Sequence, residues 1–346
     1  MLIKRVIGFI FAFTFLLLNY SIATENTLEN SIAKLMKVEP KQIELRKQSK
    51  GMTSSQNYLF ELNSKKYVVK IFGKKCNPKY KLKEIEAAKT FSDFGLGSKL
   101  VAVGNKNSFY IREYISGETL KYKDLKDDKV LETLAKAVRK IHGVKNDASA
   151  RGLLERAQKH CKKIAKKRIA TPSGFESSYE KFKEMLKSLK VSNGFCHNDL
   201  NPHNIIFTPE GKIYFIDFGN SGYSNVYEEL GYLTLLNGIT GEKLERFLTV
   251  YYGRNPTSEE ISQVKLAQKL VCFVSATVYF DFSETKKDKN IDINLRQERL
   301  DKLLKSSELK SISDCIKNGE IVSIKSRKKN LIKRCAVAFY KSFLEM

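Results

Sequence analysis

Three polar side chains in the stretch CHNDLNPHNIIFTPEGKIYFIDFG, residues 196–219, have types and spacing suited to phosphoryl transfer. Asp199 follows His197 by two positions, Asn204 lies five positions after Asp199, and Asp217 opens a D-F-G triplet at the end of an apolar run. Moving a γ-phosphoryl group calls for little covalent help. It requires placed phosphates, a divalent cation to neutralise charge, and a carboxylate that orients the attacking hydroxyl and takes its proton. Asp199 on a loop suits the last role. Asn204 and Asp217 are hard oxygen donors of the kind that Mg2+ takes together with phosphate oxygens and water.

The first third of the chain holds residues that suit the other end of ATP. Lys70, in YVVKIF, falls on a strand that reads as buried, where an ammonium without a partner is costly. The helix after it offers Glu84 and Glu86, and a Lys70–Glu84 pair would hold the lysine against the α- and β-phosphates. The turn SKGMTSSQN brings Gly51, Thr53, Ser54 and Ser55, whose backbone N–H groups and hydroxyls can cap phosphate oxygens. The segment REYISG, 112–117, joins the two halves and offers backbone groups to adenine, at Glu113 and Ile115 among others. Taken singly, each feature has a plainer reading: a solvated edge lysine, an ordinary turn, a structural H-x-D loop. The ordered set, each part in the structural context its motif requires, points to a kinase-type site.

These groups need a frame, and the hydrophobic periodicity supplies one. Residues 28–37 read as a helix. IELRKQ, NYLFEL and KYVVKIF read as strands separated by Gly/Ser/Thr and Asn-Ser turns, and two more strands fall in SKLVAVGNKNSFYIREYI. Between them, 79–94 reads as a long helix ended by Gly95. After residue 116 the pattern turns helical. DDKVLETLAKAVRKIHGV carries Val130, Leu131, Leu134, Ala137, Val138 and Ile141 on one stripe, and further helices are predicted at about 150–168, 176–189, 228–237, 241–252, 258–280 and 297–316. NIIF-TPEG-KIYFID is a β-hairpin, so the candidate catalytic residues flank a hairpin in a helical setting. The expected fold is α+β and two-lobed. A small antiparallel sheet with one long helix (24–115) would bind nucleotide, a mainly helical lobe (116–346) would carry the catalytic loop and acceptor site, and a cleft between lobes suits a nucleotide.

The motifs resemble the choline/ethanolamine kinase and aminoglycoside phosphotransferase superfamily, which has a protein-kinase-like fold. CHNDLNPHNIIF is similar to that group's H-N-D-L-x-x-x-N-I block, and GMTSSQNYLFELNSKKYVVK resembles the phosphate loop of bacterial choline kinases. LKEIEAAKTFSDFGLGSKL resembles the family helix ending in G-L-G-P-K-L, and the likeness covers roughly 40–280. The resemblance implies ATP, Mg2+ and a small hydroxyl acceptor. It puts Asp199 on the base, Asn204 and Asp217 on the metal ligands, and Lys70 with Glu84 on the ion pair. The chain also departs from the pattern. Gly219 stands where choline kinases usually have Glu, and Glu229 where they usually have Asp. They hold the quaternary ammonium with aromatics that include Trp, and this chain has none. A cage from Phe273, Tyr279, Phe280 and Phe282 is an alternative, although such a stripe usually packs a core. His142 fits a structural position of the family, His197 reads as a brace for the loop backbone, and His160 and His203 carry no signal.

The chain holds 62 Lys and Arg against 38 Asp and Glu, a formal net charge of +24. That excess favours anionic partners in general. The lysines are spread along nearly the whole chain and read first as solvated faces, and no nucleic-acid partner is expected. Lys4 and Arg5, the apolar run Val6–Leu18 and small residues at Ser21 and Ala23 follow the order of a secretory signal, so 1–23 is expected to direct export. The six cysteines are scattered without zinc spacing. The last stretch, 323–346, is a basic helix with Leu331, Ile332, Val337, Phe339, Tyr340, Phe343 and Leu344. It suits either packing on the helical lobe or peripheral contact with an anionic membrane. The function expected is ATP-dependent phosphorylation of a small alcohol, choline or ethanolamine foremost. Aminoglycosides or other alcohols are the alternative, as is a secreted kinase-like protein acting on a protein partner. A non-catalytic scaffold is disfavoured by the intact Asp199, Asn204, Asp217 and Lys70.

Overall fold

Helix α1 (Leu28–Met36) begins where the Thr27 hydroxyl accepts from the Asn30 N–H at 3.2 Å, and it stops at Lys37 in the left-handed region. The computed structural model describes residues 27–48, 55–145, 148–284, 288–319, 321 and 328–346. After α1 come β1 (Arg46–Lys47), β2 (Gln56–Leu62) and β3 (Lys65–Ile71). Asn63 and Ser64, both at positive φ, make the tight turn between β2 and β3, whose twist suits a two-residue hairpin. Helix α2 (Pro78–Asp93), β4 (Leu100–Val103) and β5 (Phe109–Glu113) follow. The strands form one antiparallel sheet in the order β1-β2-β3-β5-β4.

Strand parity explains which side chains meet. Successive residues of a strand face opposite sides. Phe60 and Leu62 of β2, Val69 of β3 and Phe109 and Ile111 of β5 therefore share one core with Ile32, Ala33 and Ile43. Val68 and Lys70 fall on the other face of β3, and both are buried there.

The helical half contains β6 (Glu118–Thr119), α3 (Asp128–His142), α4 (Leu153–Lys167), α5 (Phe175–Lys187) and β7 (Asn193–Cys196). Next are β8 (Ile205–Phe207), β9 (Ile213–Phe215) and β10 (Gly222–Asn225). The remainder is helical: α6 (Val226–Leu236), α7 (Glu242–Tyr252), α8 (Ser258–Ser283), α9 (Ile293–Lys305), α10 (Ile312–Lys317) and α11 (Lys329–Glu345). Strands β6, β8 and β9 form one small sheet, and β7 pairs with β10. Helix α8 opens on a reciprocal cap between Thr257 and Glu260, and it is the central core element, packed against α4, α6 and α11. Gly194 of β7 sits where a Cβ would come within 2.6 Å of the His142 carbonyl oxygen, so only glycine lets this strand pass α3.

The chain divides into two compact units. One holds the described residues up to Ile85 with Lys99–Tyr114, and the other holds Glu86–Ser98 with Ile115–Met346. The break thus falls inside α2, which a linear division at 115/116 does not anticipate.

One expectation changes, and one open alternative is decided. The helix predicted over 297–316 is broken: α9 ends at Lys305, Ser306 is extended, and the Ser311 hydroxyl caps α10 by accepting from Asp314 N–H at 3.1 Å. Serine side chains that bond nearby backbone compete with helix continuation. In the basic tail, Ile332, Val337, Phe339, Tyr340 and Phe343 are buried in α11, while Leu331 and Leu344 are exposed. The apolar face that a membrane would need is spent on the core with α8. No described helix is long and apolar enough to cross a membrane, and the expected export segment 1–23 lies outside the described residues.

Candidate active site

The loop that carries Asp199 and Asn204 hangs between β7 and β8. Asn201 accepts from the His203 N–H at 3.0 Å and starts a 3-10 turn at Pro202–Asn204 that ends as β8 begins. Within it, the Asn204 amide donates from Nδ2 to the Asp199 carbonyl at 2.8 Å. That bond turns Oδ1 of Asn204 into the group left for a cation, and the residue is buried. The hairpin brings Asp217 back: the Ile216 N–H donates to the Asn204 carbonyl at 3.0 Å, and Thr208–Gly211 closes the turn with Gly211 at φ 76. Asp217 has φ 67, a left-handed conformation rare for a residue with a Cβ. Asn198, at φ 61, is a second such residue in the same loop. Strain of this kind persists only where surrounding bonds over-determine it, and functional sites concentrate it.

Those bonds are present. Nε2 of His197 donates to the Ile216 carbonyl at 2.9 Å, so this buried ring braces the loop backbone as the sequence predicts. The Asn198 N–H donates to Glu229 Oε1 at 2.5 Å, and Ser224 Oγ donates to Asn198 Oδ1 at 3.0 Å. Glu229 also takes His142 Nε2 at 2.6 Å, whose Nδ1 meets the Tyr251 hydroxyl at 2.7 Å. Glu229, in the first turn of α6, thus serves a structural role. Phe218 stacks on Phe91 with ring centroids 4.5 Å apart, which anchors the D-F-G segment.

The carboxylate of Asp199 has an asymmetric environment. Oδ1 accepts from the Tyr232 hydroxyl at 2.9 Å and from Asn201 Nδ2 at 3.0 Å. Oδ2 carries no hydrogen bond among the described residues and is the oxygen open to an incoming hydroxyl. Arg156 of α4 donates from Nη1 to the Asn198 carbonyl at 3.1 Å, with its guanidinium 5.5 Å from the centre of the Tyr232 ring. Burial holds the Asp199 carboxyl above the usual range, Arg156 pulls it back, and the charge of Asp217 adds to the rise. A carboxylate shifted upward is a better proton acceptor near neutral pH. Tyr232 is pushed well above the usual phenol range by burial and by Asp199, so it stays protonated and donates. Arg156, Asn201 and Tyr232 were not singled out in the sequence. Asn201 was within reach of inspection, two residues from Asp199. Arg156 and Tyr232 lie 42 and 33 residues from their loop partners.

In the sheet unit, Lys70 and Glu84 are buried and form an ion pair. Tyr110, directly opposite Lys70 on β5, donates its hydroxyl to Glu84 Oε1 at 3.3 Å. Glu86 is exposed, which leaves Glu84 as the partner. Ser55 is buried just before β2, whereas Gly51, Thr53 and Ser54 lie outside the described residues. The two linker positions differ. The Glu113 N–H is committed to the Lys99 carbonyl at 3.0 Å. Ile115 has no backbone hydrogen bond among the described residues. The aromatic stripe on α8 also divides. Phe273 and Phe280 are fully buried in the core, where Phe273 stacks on Phe182 at 5.0 Å and Phe280 meets Phe175 at 5.5 Å. Phe282 lies beside Lys167. A four-membered cage from this stripe is therefore excluded.

A free carboxylate oxygen in a braced loop, with an amide oxygen and a second carboxylate across a hairpin, can orient a hydroxyl and hold a hard cation. Asn204 Oδ1 and Asp217 fit Mg2+ by donor type. Residues 45–263 match the family model for choline/ethanolamine kinase. Probable choline kinase 2 of Arabidopsis thaliana is 28% identical over 172 residues, which is 47% of this chain and 49% of that protein. The chain spans about half the length of the curated relatives it matches. The solved structure of choline kinase LicA from Streptococcus pneumoniae superposes with a TM-score of 0.60 at 24% identity, over 79% of this chain and 95% of that one. Aminoglycoside phosphotransferase APH(2'')-Ib gives 0.55 at 19% identity, over 77% and 95%. Such likenesses speak to the fold, and the two-lobed kinase-like architecture read from the sequence is the one found. With the family model spanning more than half of it, from the sheet through the catalytic loop to α8, the chain belongs to the choline/ethanolamine kinase family.

Proposed function

We propose that the protein is an ATP-dependent phosphotransferase that moves the γ-phosphoryl group to the hydroxyl of a small molecule, with choline or ethanolamine as the first acceptors to test. The observation that carries this reading is the state of Asp199. One oxygen is held by Tyr232 and Asn201, the other is open, and burial raises its basicity. In this reading Asp199 accepts the acceptor's proton, Asn204 and Asp217 hold Mg2+, and the buried Lys70–Glu84 pair presents the lysine to the α- and β-phosphates. Mg2+ would supply charge neutralisation on the phosphates. The Ile115 backbone and Ser55 belong to the nucleotide side of the proposal.

The burial of Phe273 and Phe280 favours a second reading, in which the acceptor is an aminoglycoside or another alcohol not gripped by an aromatic cage. A polypeptide acceptor is disfavoured, because the segment after the D-F-G is taken up at once by β10, paired with β7, and by α6. The test is a screen of purified protein for ADP release with Mg2+-ATP and choline, ethanolamine, thiamine, aminoglycosides and a generic protein substrate. Acceptor-dependent ADP release with a small alcohol is expected. Release only with protein, or with none while ATP binds, refutes the proposal.

A further inference from the structure

Helix α4 is unusually basic toward its C-terminal end, and its last two turns border a cavity of about 780 Å3. Five cations line this space: Lys163, Lys166 and Lys167 of α4, Arg168 just after it, and Arg296 from α9. Among the described residues, Ile291 and Ile293 complete the wall, and no carboxylate is part of it.

The charge is only partly balanced, and the balance lies inside the protein. Asp281, its side chain fully buried, pairs with Lys167, with His160 at 2.9 Å and with Lys163 at 3.6 Å. Glu284, also buried, takes Arg296 at 2.5 Å. Lys166 and Arg168 are exposed and have no carboxylate within ion-pair distance among the described residues. Three of the five cations thus take up the two buried carboxylates, one of which also holds His160, and Lys166 and Arg168 are left without a carboxylate among the described residues. Part of the wall is fixed. Arg296 is buried and held by the Ile291 carbonyl at 3.1 Å and the Arg168 carbonyl at 3.4 Å, so its place costs no ordering when a ligand arrives. Along the same helix, burial holds the Lys159 ammonium below the usual lysine range, with Arg151 and Lys163 pushing it further down, as a strongly positive field does.

Lysines in the last turn of a helix normally complement its dipole. That accounts for Lys166 and Lys167 singly. It does not account for the surplus of positive charge gathered on one cavity, where Lys166 and Arg168 stand together with no carboxylate within ion-pair distance among the described residues. We propose that this cavity is an anion site for a phosphate-bearing polyanion, separate from the nucleotide groups. Phosphate carries the charge density to engage several ammonium groups at once, and the cavity is larger than a single phosphate needs. The two isoleucines offer an apolar surface to the rest of the ligand. The inference does not depend on the proposed reaction.

The probes are inorganic pyrophosphate, titrated calorimetrically into the full-length protein, and vesicles of phosphatidylglycerol compared with phosphatidylcholine. Two variants decide the matter. Lys166→Glu with Arg168→Glu reverses the two unpaired charges, and Lys70→Ala disables the nucleotide-side lysine. A pyrophosphate component that persists in Lys70→Ala, weakens with salt, and falls roughly tenfold or more in the charge-reversed pair supports a soluble ligand. Phosphatidylglycerol binding with the same dependence, and no such pyrophosphate component, assigns a lipid headgroup. Binding of either probe that survives charge reversal overturns the site, and so does no binding of either. Melting curves check folding, and Lys166→Gln with Arg168→Gln gives the same readout with a smaller loss should the reversed pair fail to fold.

Discussion

Replacing Tyr232 by Phe removes one hydroxyl and little else, which isolates what it does for Asp199. The hydroxyl lies 2.9 Å from Oδ1, buried behind the carboxylate, and its own pKa is raised so that it can only donate. A hydrogen bond to a charged group contributes about 1.5–3 kcal/mol, and here it favours the ionised carboxylate. Asn201 remains on the same oxygen at 3.0 Å and makes good part of the loss, so the lower end applies. One pH unit of displacement corresponds to about 1.4 kcal/mol, so the acid limb of kcat/KM should move by roughly one pH unit. Its direction follows from the chemistry. The base works only when ionised, and Asp199 is already held above the usual carboxylate range. Losing a donor to the charged form raises it further, so the variant loses activity at a higher pH than the parent and recovers it above both limbs. The assay is ADP release across pH with the acceptor identified by the screen, at subsaturating acceptor. Arg156→Gln, which removes a cation that favours the ionised form, should move the limb the same way. An unmoved limb with a uniform fall in rate at every pH would mean that Tyr232 only packs, and a limb moved to lower pH would refute the reasoning outright.

Asp199→Asn should lower transfer by ~10²–10⁴-fold while nucleotide affinity stays nearly constant, and retention of half the activity would remove Asp199 as the base. Asp217→Ala should weaken the Mg2+ dependence of ATP binding, measured by titration with and without the metal; equal dependence in both proteins places the metal elsewhere. Lys70→Ala and Glu84→Ala should each reduce activity, with the double variant little worse than the poorer single one, because the two are a buried pair; full additivity breaks the coupling. Export of the chain is a proposal checked by intact-mass measurement on protein from its native source: a mature species starting at Thr24 is expected, and a full-length species from Met1 rejects it.

Much of the site could be read from sequence because its members are close in the chain. Asp199, Asn204 and Asp217 span one loop and one hairpin, so local turn chemistry at Asn201 and Gly211 carries their arrangement. Lys70 was legible from its place on an apolar strand, where an unpartnered ammonium is costly, and Glu84 was one of two carboxylates offered by the helix that follows. What the linear pattern could not decide was the use of each apolar stripe. Phe273 and Phe280 suit a cation cage or a core equally well on a helical wheel, and the basic tail suits a membrane or α8. Packing assigned both to the core, since each found an apolar partner face there. Glu113 shows the same limit at the level of the backbone: only the fold reveals that its N–H is taken by the carbonyl of Lys99, the residue before β4. The tuning of the base was also out of reach of the sequence. Arg156 and Tyr232 come from α4 and α6, and only the packing of these helices with α8 brings them to the loop of Asp199. Local sequence sets backbone conformation and spacing over a few residues. Burial, charge environment and proton affinity arise from elements far apart in the chain, and these the tertiary fold alone decides.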